Sequence, residues 1–217
     1  MNLEAAYRAI HRKVRTDGVS GTIKLISRAV LDRLFRRDES LFYVNLPTYT
    51  VNPKEIAAGI VVLRIEAVAD IPPKLLEALA KYAGDEYIRE TNRRLENGWS
   101  LFLAMLSDEL AGGGWAITNK SGFMTKVIPL LDGDVSLIDF FTLPASRGKN
   151  VYPYLLSCAL TEFKAQHFLR AYGYTTEWNV SANRGIVKAG FLYFMKYEAH
   201  VFGRREFVIW KSARRGK

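Results

Sequence analysis

The chain is poor in the residues that build disulfides and metal centres: one cysteine and three histidines in 217 residues. A lone Cys158 closes no internal disulfide, which fits a reducing compartment, and it reads as a small core residue of its helix. No pair or triplet of His, Cys and acidic residues has metal-ligand spacing, so no metal is expected. No apolar run reaches the ~18–20 residues of a membrane span. Charges stand where a signal peptide would place its apolar stretch, so a cytoplasmic protein is expected. Internal repeats and low-complexity tracts are missing too. The length suits one domain, with or without an N-terminal extension.

Positive charge is plentiful and unevenly placed. Of the net +9, residues 1–37 hold nine Lys/Arg against three acids and residues 204–217 hold six against one, while 38–203 hold sixteen against eighteen. Basic ends attract nucleic acid, an anionic membrane face or a phosphorylated small molecule, or simply form a solvated surface. The aromatic and basic interleaving of an RNA-binding sheet is missing, so no nucleic-acid partner is expected.

Patterning gives helices over residues 3–15 and 20–36, broken at Asp17-Gly18. The second has an apolar side (Ile23, Leu25, Ile26, Ala29, Val30, Leu31, Leu34) amid basic residues. Such a stripe packs on its own domain, on a second subunit to make a homodimer, or on a membrane surface as a peripheral contact. Strands are expected at 41–46 and 59–68, and helices at 73–83 and 85–96, the first opened by Pro72-Pro73. A hairpin of 99–106 and 110–117 follows, turning at Ser107-Asp108-Glu109. Gly112-Gly113-Gly114 in its second strand marks close approach by a ligand or another backbone. Then come a central strand at 135–143, apolar on both faces except Asp139, a helix at 151–169, a strand at 172–179, a short helix at 182–189 and a hairpin of 191–201 and 206–210. This is a mixed α/β chain around one sheet.

The stretch from Ile138 to Leu156 is the most informative. A buried strand ends at Pro144, an Arg147-Gly148-Lys149-Asn150 turn follows, and a helix starts at once. That order aims the backbone N–H groups from Gly148 to Tyr152 at a phosphate, at the positive end of a helix. A second element, Asn179 to Phe191, directly follows a strand. Together they resemble the GNAT superfamily of acyl-CoA-dependent N-acyltransferases. Those proteins place a Pro-x-x-Arg-Gly-x-Gly-x-Gly turn before a long helix, and later a strand ending in Asn, a short helix and Lys-x-Gly-Phe. Pro144, Arg147 and Gly148 match the first motif; Asn179, Ala182, Arg184, Lys188, Gly190 and Phe191 match the second. The resemblance covers residues 59–210. Two departures stand out. Asn150 and Tyr152 replace the later glycines of the turn, and Asn150 either crowds it or takes the left-handed conformation itself. Ile186 stands where many members carry a tyrosine that protonates the leaving thiolate.

The resemblance implies a central twisted mixed sheet flanked by helices, with acetyl-CoA or another acyl-CoA as co-substrate. It places the cofactor on Phe141, Thr142, Leu143, Arg147, Gly148, Lys149, Asn150, Val151, Tyr152 and Asn179, with a backbone N–H near Thr142 polarising the thioester oxygen. Asp139, the one charged residue of the central strand, is the first candidate base, because burial raises a carboxyl pKa; a carboxylate simply tied to a buried partner is the competing reading. Glu177, near the end of the neighbouring strand, is the second. Tyr87, Arg94, Trp115 and Trp178 are the candidate acceptor residues, on the far side of the sheet from the cofactor. The expected acceptor is a small-molecule amine, in the first place a nucleotide-linked amino sugar for surface polysaccharide. Another amine (a protein N-terminus, a lysine, a polyamine or an antibiotic) and a non-catalytic acyl-CoA-binding regulator stay open. The domain reading is a basic helical extension over 1–46, an acyltransferase domain over 47–210 and a basic tail over 211–217.

Overall fold

A computed structural model describes residues 36–51, 59–119, 128–202 and 205–210, with the backbone alone at 36–37 and beyond 198. The helices expected at 3–15 and 20–36 and the basic tail lie outside these residues, Arg36 apart. Eight strands form: β1 Arg36–Asn45, β2 Ile60–Ile65, β3 Ser100–Leu106, β4 Glu109–Thr118, β5 Asp134–Thr142, β6 Arg170–Thr176, β7 Leu192–Phe202 and β8 Arg205–Trp210. Three helices, α1 Pro73–Glu96, α2 Val151–Ala165 and α3 Val180–Lys188, accompany them. The strands make one sheet in the order β2-β3-β4-β5-β6-β1-β7-β8. Its one parallel pair is β5 with β6; every other neighbour is antiparallel. Fold class is thus α/β with a mixed sheet, as expected. No described helix is long and apolar enough to cross a membrane.

The sheet buries both faces, because its central strands are apolar at consecutive positions. Phe102, Val135 and Leu137 face one way and meet Leu155, Leu156, Ala159, Leu160 and Phe163 of α2 and Ile186 of α3. Leu101, Leu103, Trp115, Ile117 and Ile138 face the other way and meet Leu75, Leu79 and Leu95 of α1. Each such large side chain contributes ~1.5–3 kcal/mol on leaving water. Helix α1 is two arms joined at Gly84, whose φ of 80° and ψ of 172° no helix accommodates; the two expected helices meet there. Ser107 and Asp108, with φ of 52° and 59°, make the tight hairpin turn.

One boundary is corrected. Residues 36–46 are not part of an extension packed outside the core. Strand β1 lies inside the sheet, antiparallel to β6 on one side and β7 on the other. The run Leu41-Phe42-Tyr43-Val44 is apolar on successive residues, the pattern of an interior strand, and Leu41, Phe42 and Val44 are buried. The expected last hairpin forms, and β7 joins the sheet through β1.

Candidate active site

The site is built where β5 and β6 part. They pair only from Asp134–Arg170 to Leu137–Gly173. Beyond that point β6 continues beside β1, with Leu41 opposite Tyr174 and Glu39 opposite Thr176, while β5 continues beside β4 alone. The edge of β5 from Ile138 to Thr142 therefore faces a gap. The Leu143 N–H donates to the Ala111 carbonyl at 2.8 Å, so strand alternation turns the neighbouring Thr142 N–H the other way, towards that gap. The Thr142 hydroxyl oxygen is buried without a hydrogen-bond partner among the described residues.

Opposite Gly114, β5 carries two residues where β4 carries one: Trp115 pairs Ile138 and Gly113 pairs Phe141, leaving Asp139 and Phe140 in a bulge. The glycine triplet makes room for it. A Cβ on Gly114 would stand 2.3 Å from the Phe140 ring, and one on Gly112 would stand 2.5 Å from the Phe141 carbonyl. The close approach expected at these glycines is that of β5.

Past β5, Pro144–Ser146 make one short helical turn and Arg147 is extended (φ −65°, ψ 152°). Gly148 and Asn150 then both turn left-handed, with φ of 76° and 58°. Asn150 thus takes the left-handed conformation itself, and does so at the N-cap of α2. The first helical bond runs from the Tyr154 N–H to the Asn150 carbonyl at 3.2 Å. None of the N–H groups from Gly148 to Tyr152 finds an acceptor among the described residues. These free donors border a cavity of about 1000 Å³ that also reaches Phe140, Phe141, Thr142 and Tyr82 on one side and Asn179, Arg184, Gly185 and Lys188 on the other. Orphan amides at a helix start, three cationic side chains (Arg147, Arg184 and Lys188) and an unpaired strand edge suit an elongated ligand with an anionic end.

The structure distributes the expected cofactor residues unevenly. Phe141, Thr142, Arg147, Gly148, Asn150, Val151, Tyr152 and Asn179 line this cavity; Leu143 and Lys149 do not. Leu143 packs on the α1 side, and Lys149 points to solvent. Asn179 spends its side-chain oxygen as a helix cap, accepting from the Ala182 N–H at 3.1 Å.

The catalytic candidates are corrected in their surroundings. Asp139 is not buried: its φ of 53° swings it off the strand's alternation, and its side chain is 53% exposed in an ion pair with Arg94 at 2.7 Å. The burial expected of a base at this position is therefore not found. Glu177 ion-pairs with Lys196 and lines an adjoining cleft with Ser40, Asn183 and Val187, not the cavity of Thr142.

The acceptor candidates separate as well. Arg94 lies over Trp99 and Trp115 at 4.8 and 5.2 Å and bonds Glu90 at 2.8 Å. Burial works against its charge, and the Glu90 and Asp139 carboxylates outweigh it. Tyr87 is half-buried here; burial raises its pKa, while Trp115 and Arg94 pull the other way. Trp115 is 1% exposed and belongs to the core, whereas Trp178 is 78% exposed. Neither gives a built stacking surface, since one is sealed by Trp99 and Arg94 and the other stands in solvent. Tyr82 was missed: it stacks on Phe141 (5.2 Å between centroids, 13° between planes) at the cavity's α1 end. Its place inside α1, two residues before Gly84, carries no sequence signal.

Compared by sequence, the chain matches no family model and no curated protein. Compared by structure, it is similar to a GCN5-related N-acetyltransferase from Sphaerobacter thermophilus (TM-score 0.52, 14% identity, covering 79% of this chain and 54% of that one). It is also similar to the GCN5-related glucosamine N-acetyltransferase region of a fungal multi-domain GH3 beta-N-acetylglucosaminidase (TM-score 0.57, 13% identity, 82% of this chain and 22% of that one). A tandem GNAT protein from the clavulanic acid biosynthesis pathway matches at TM-score 0.50 and 14% identity, over 78% and 56% of the two chains. The architecture is therefore that of the GNAT acetyltransferases. The chain spans 54%, 22% and 56% of the lengths of these three structures.

Proposed function

We propose that the protein is an N-acyltransferase that moves an acetyl or short acyl group from acyl-CoA to an amine. The observation that carries this reading is the row of acceptor-free N–H groups from Gly148 to Tyr152, opening on the same cavity as the unpaired edge of β5. The amides take the diphosphate, with Arg147 adding charge. The Thr142 N–H takes the thioester oxygen, and its hydroxyl finds its missing partner on the pantetheine arm. The thioester supplies an activated acyl carbon, and holding it beside the amine supplies much of the rate.

The acceptor enters from the α1 side, past Tyr82 and Tyr87, with Asp139 receiving the proton its nitrogen sheds. One exposed carboxylate, already shared with Arg94, is a weak base, which suits an amine of low basicity. We infer a nucleotide-linked amino sugar; the fungal neighbour described as a glucosamine N-acetyltransferase shares the fold. The test is thiol release from acetyl-CoA with UDP-glucosamine, glucosamine, spermidine and a lysine peptide. Release with the sugars alone supports the reading. Release with spermidine or the peptide moves the acceptor class, and binding of CoA without release from any amine points to a regulator.

A further inference from the structure

Resting on the acyltransferase reading, we propose that Tyr152 supplies the proton taken up by the departing thiolate, from the wall of the cavity opposite the position where the resemblance would place it. Ile186 cannot serve. It is buried, and its Cδ1 lies only 2.8 Å from where a Cβ on Gly173 would stand, turned into the core. Tyr152 lies on the facing helix, and its ring is gripped from two sides. It meets Phe140 of the β5 bulge edge-on, with 6.5 Å between centroids. It also lies against α3, where a Cβ on Gly185 would stand 2.5 Å from Cδ1. A ring touching both β5 and α3 spans the mouth of the gap between β5 and β6, where the reacting end of a ligand laid along Thr142 must lie.

Tyr152 and Gly185 form a size-matched pair: a large side chain enters from α2 where α3 has none. The hydroxyl has no hydrogen-bond partner among the described residues, and the side chain lines the cavity. Burial pushes this phenol up to about 12, so it stays protonated through the neutral and mildly alkaline range. Tyr82, the other phenol on the cavity wall, is half-exposed and flat against Phe141 at the acceptor end.

In the step, the acceptor nitrogen bonds to the acyl carbon and the C–S bond breaks with its electron pair going to sulfur. Sulfur takes the Tyr152 proton. The nitrogen's proton leaves through Asp139, and water returns one to the phenolate.

Y152F keeps the ring packing and removes only the hydroxyl. With acetyl-CoA and the amine panel above, its kcat is expected to fall about 100-fold. Its acetyl-CoA Kd and melting temperature stay native. A native kcat in Y152F overturns the assignment, as does a loss confined to acetyl-CoA binding. Absence of thiol release by the native protein with every amine overturns the acyltransferase reading and this assignment together; release by native protein and Y152F alike removes only the latter.

Discussion

Arg94 concentrates more of the acceptor side than any other single residue. Its guanidinium touches two indoles and two carboxylates at once, and it holds Asp139 at a backbone position that strains a non-glycine residue by ~1–3 kcal/mol. R94M should lower kcat/KM for the amine at least tenfold by freeing Asp139, leave the acetyl-CoA Kd unchanged, and cost about 1–2 kcal/mol in urea unfolding through the lost stacking. D139N retains the left-handed turn, which Asn tolerates, and should reproduce the kinetic loss with little loss of stability. Native kinetics in D139N would remove Asp139 from the reaction.

Glu90 gives a pH signature. Hydrogen bonding from Arg93, then Arg94, lowers its pKa from 4.5 to about 2. Its stabilising effect is therefore present above pH 4.5 and fades as pH falls towards 2. Because the group is partly exposed, E90Q should cost only about 0.5–1 kcal/mol at pH 7, and melting curves of E90Q and native protein should converge near pH 2. That Asp139 was special could be seen in the sequence, as a lone charge in an apolar strand. Its exposure could not, because a positive φ leaves no mark in residue type.

At the scale of elements, the site depends on glycines that admit a neighbour's bulk. Gly114 faces the Phe140 ring and Gly185 faces Tyr152. G114A should destabilise by about 1–3 kcal/mol, since three atoms of the Phe140 ring lie within 2.6 Å of the added Cβ and the ring must move. G185A should do the same by dislodging Tyr152, and adding Y152A should restore part of the loss. That non-additivity, read from a double-mutant cycle of unfolding free energies, is expected to exceed 0.5 kcal/mol. Additive losses would mean that α2 and α3 do not meet through this pair. The hairpin turn and the break at Gly84 were legible because each rests on local backbone preference, and the glycine triplet because three glycines in a strand signal close approach. The pairing of Tyr152 with Gly185 was not, because it joins residues 33 positions apart in the chain through contact alone.

For the whole molecule, the order of strands and helices from residue 59 onward followed from the patterning, and with it the α/β class. The interior place of β1 did not. Its charged first residues read as the end of a basic extension, and only pairing with β6 and β7 shows where the strand lies. The cavity was legible in outline from the Arg-Gly turn, while the acceptor side was not, since exposed and core aromatics look alike in sequence.

The central claim is that main-chain donors of Thr142 and Gly148–Tyr152 hold the co-substrate. Titrating isotopically labelled protein with acetyl-CoA and following the backbone amide NMR signals tests it directly. The account predicts the largest shifts at Thr142, Gly148, Lys149, Asn150, Val151 and Tyr152, and much smaller ones when acetyl-pantetheine, which lacks the diphosphate, is added. Shifts confined to the far side of α2, around the separate cavity of about 700 Å³ at Tyr154, Cys158 and Glu162, would contradict it.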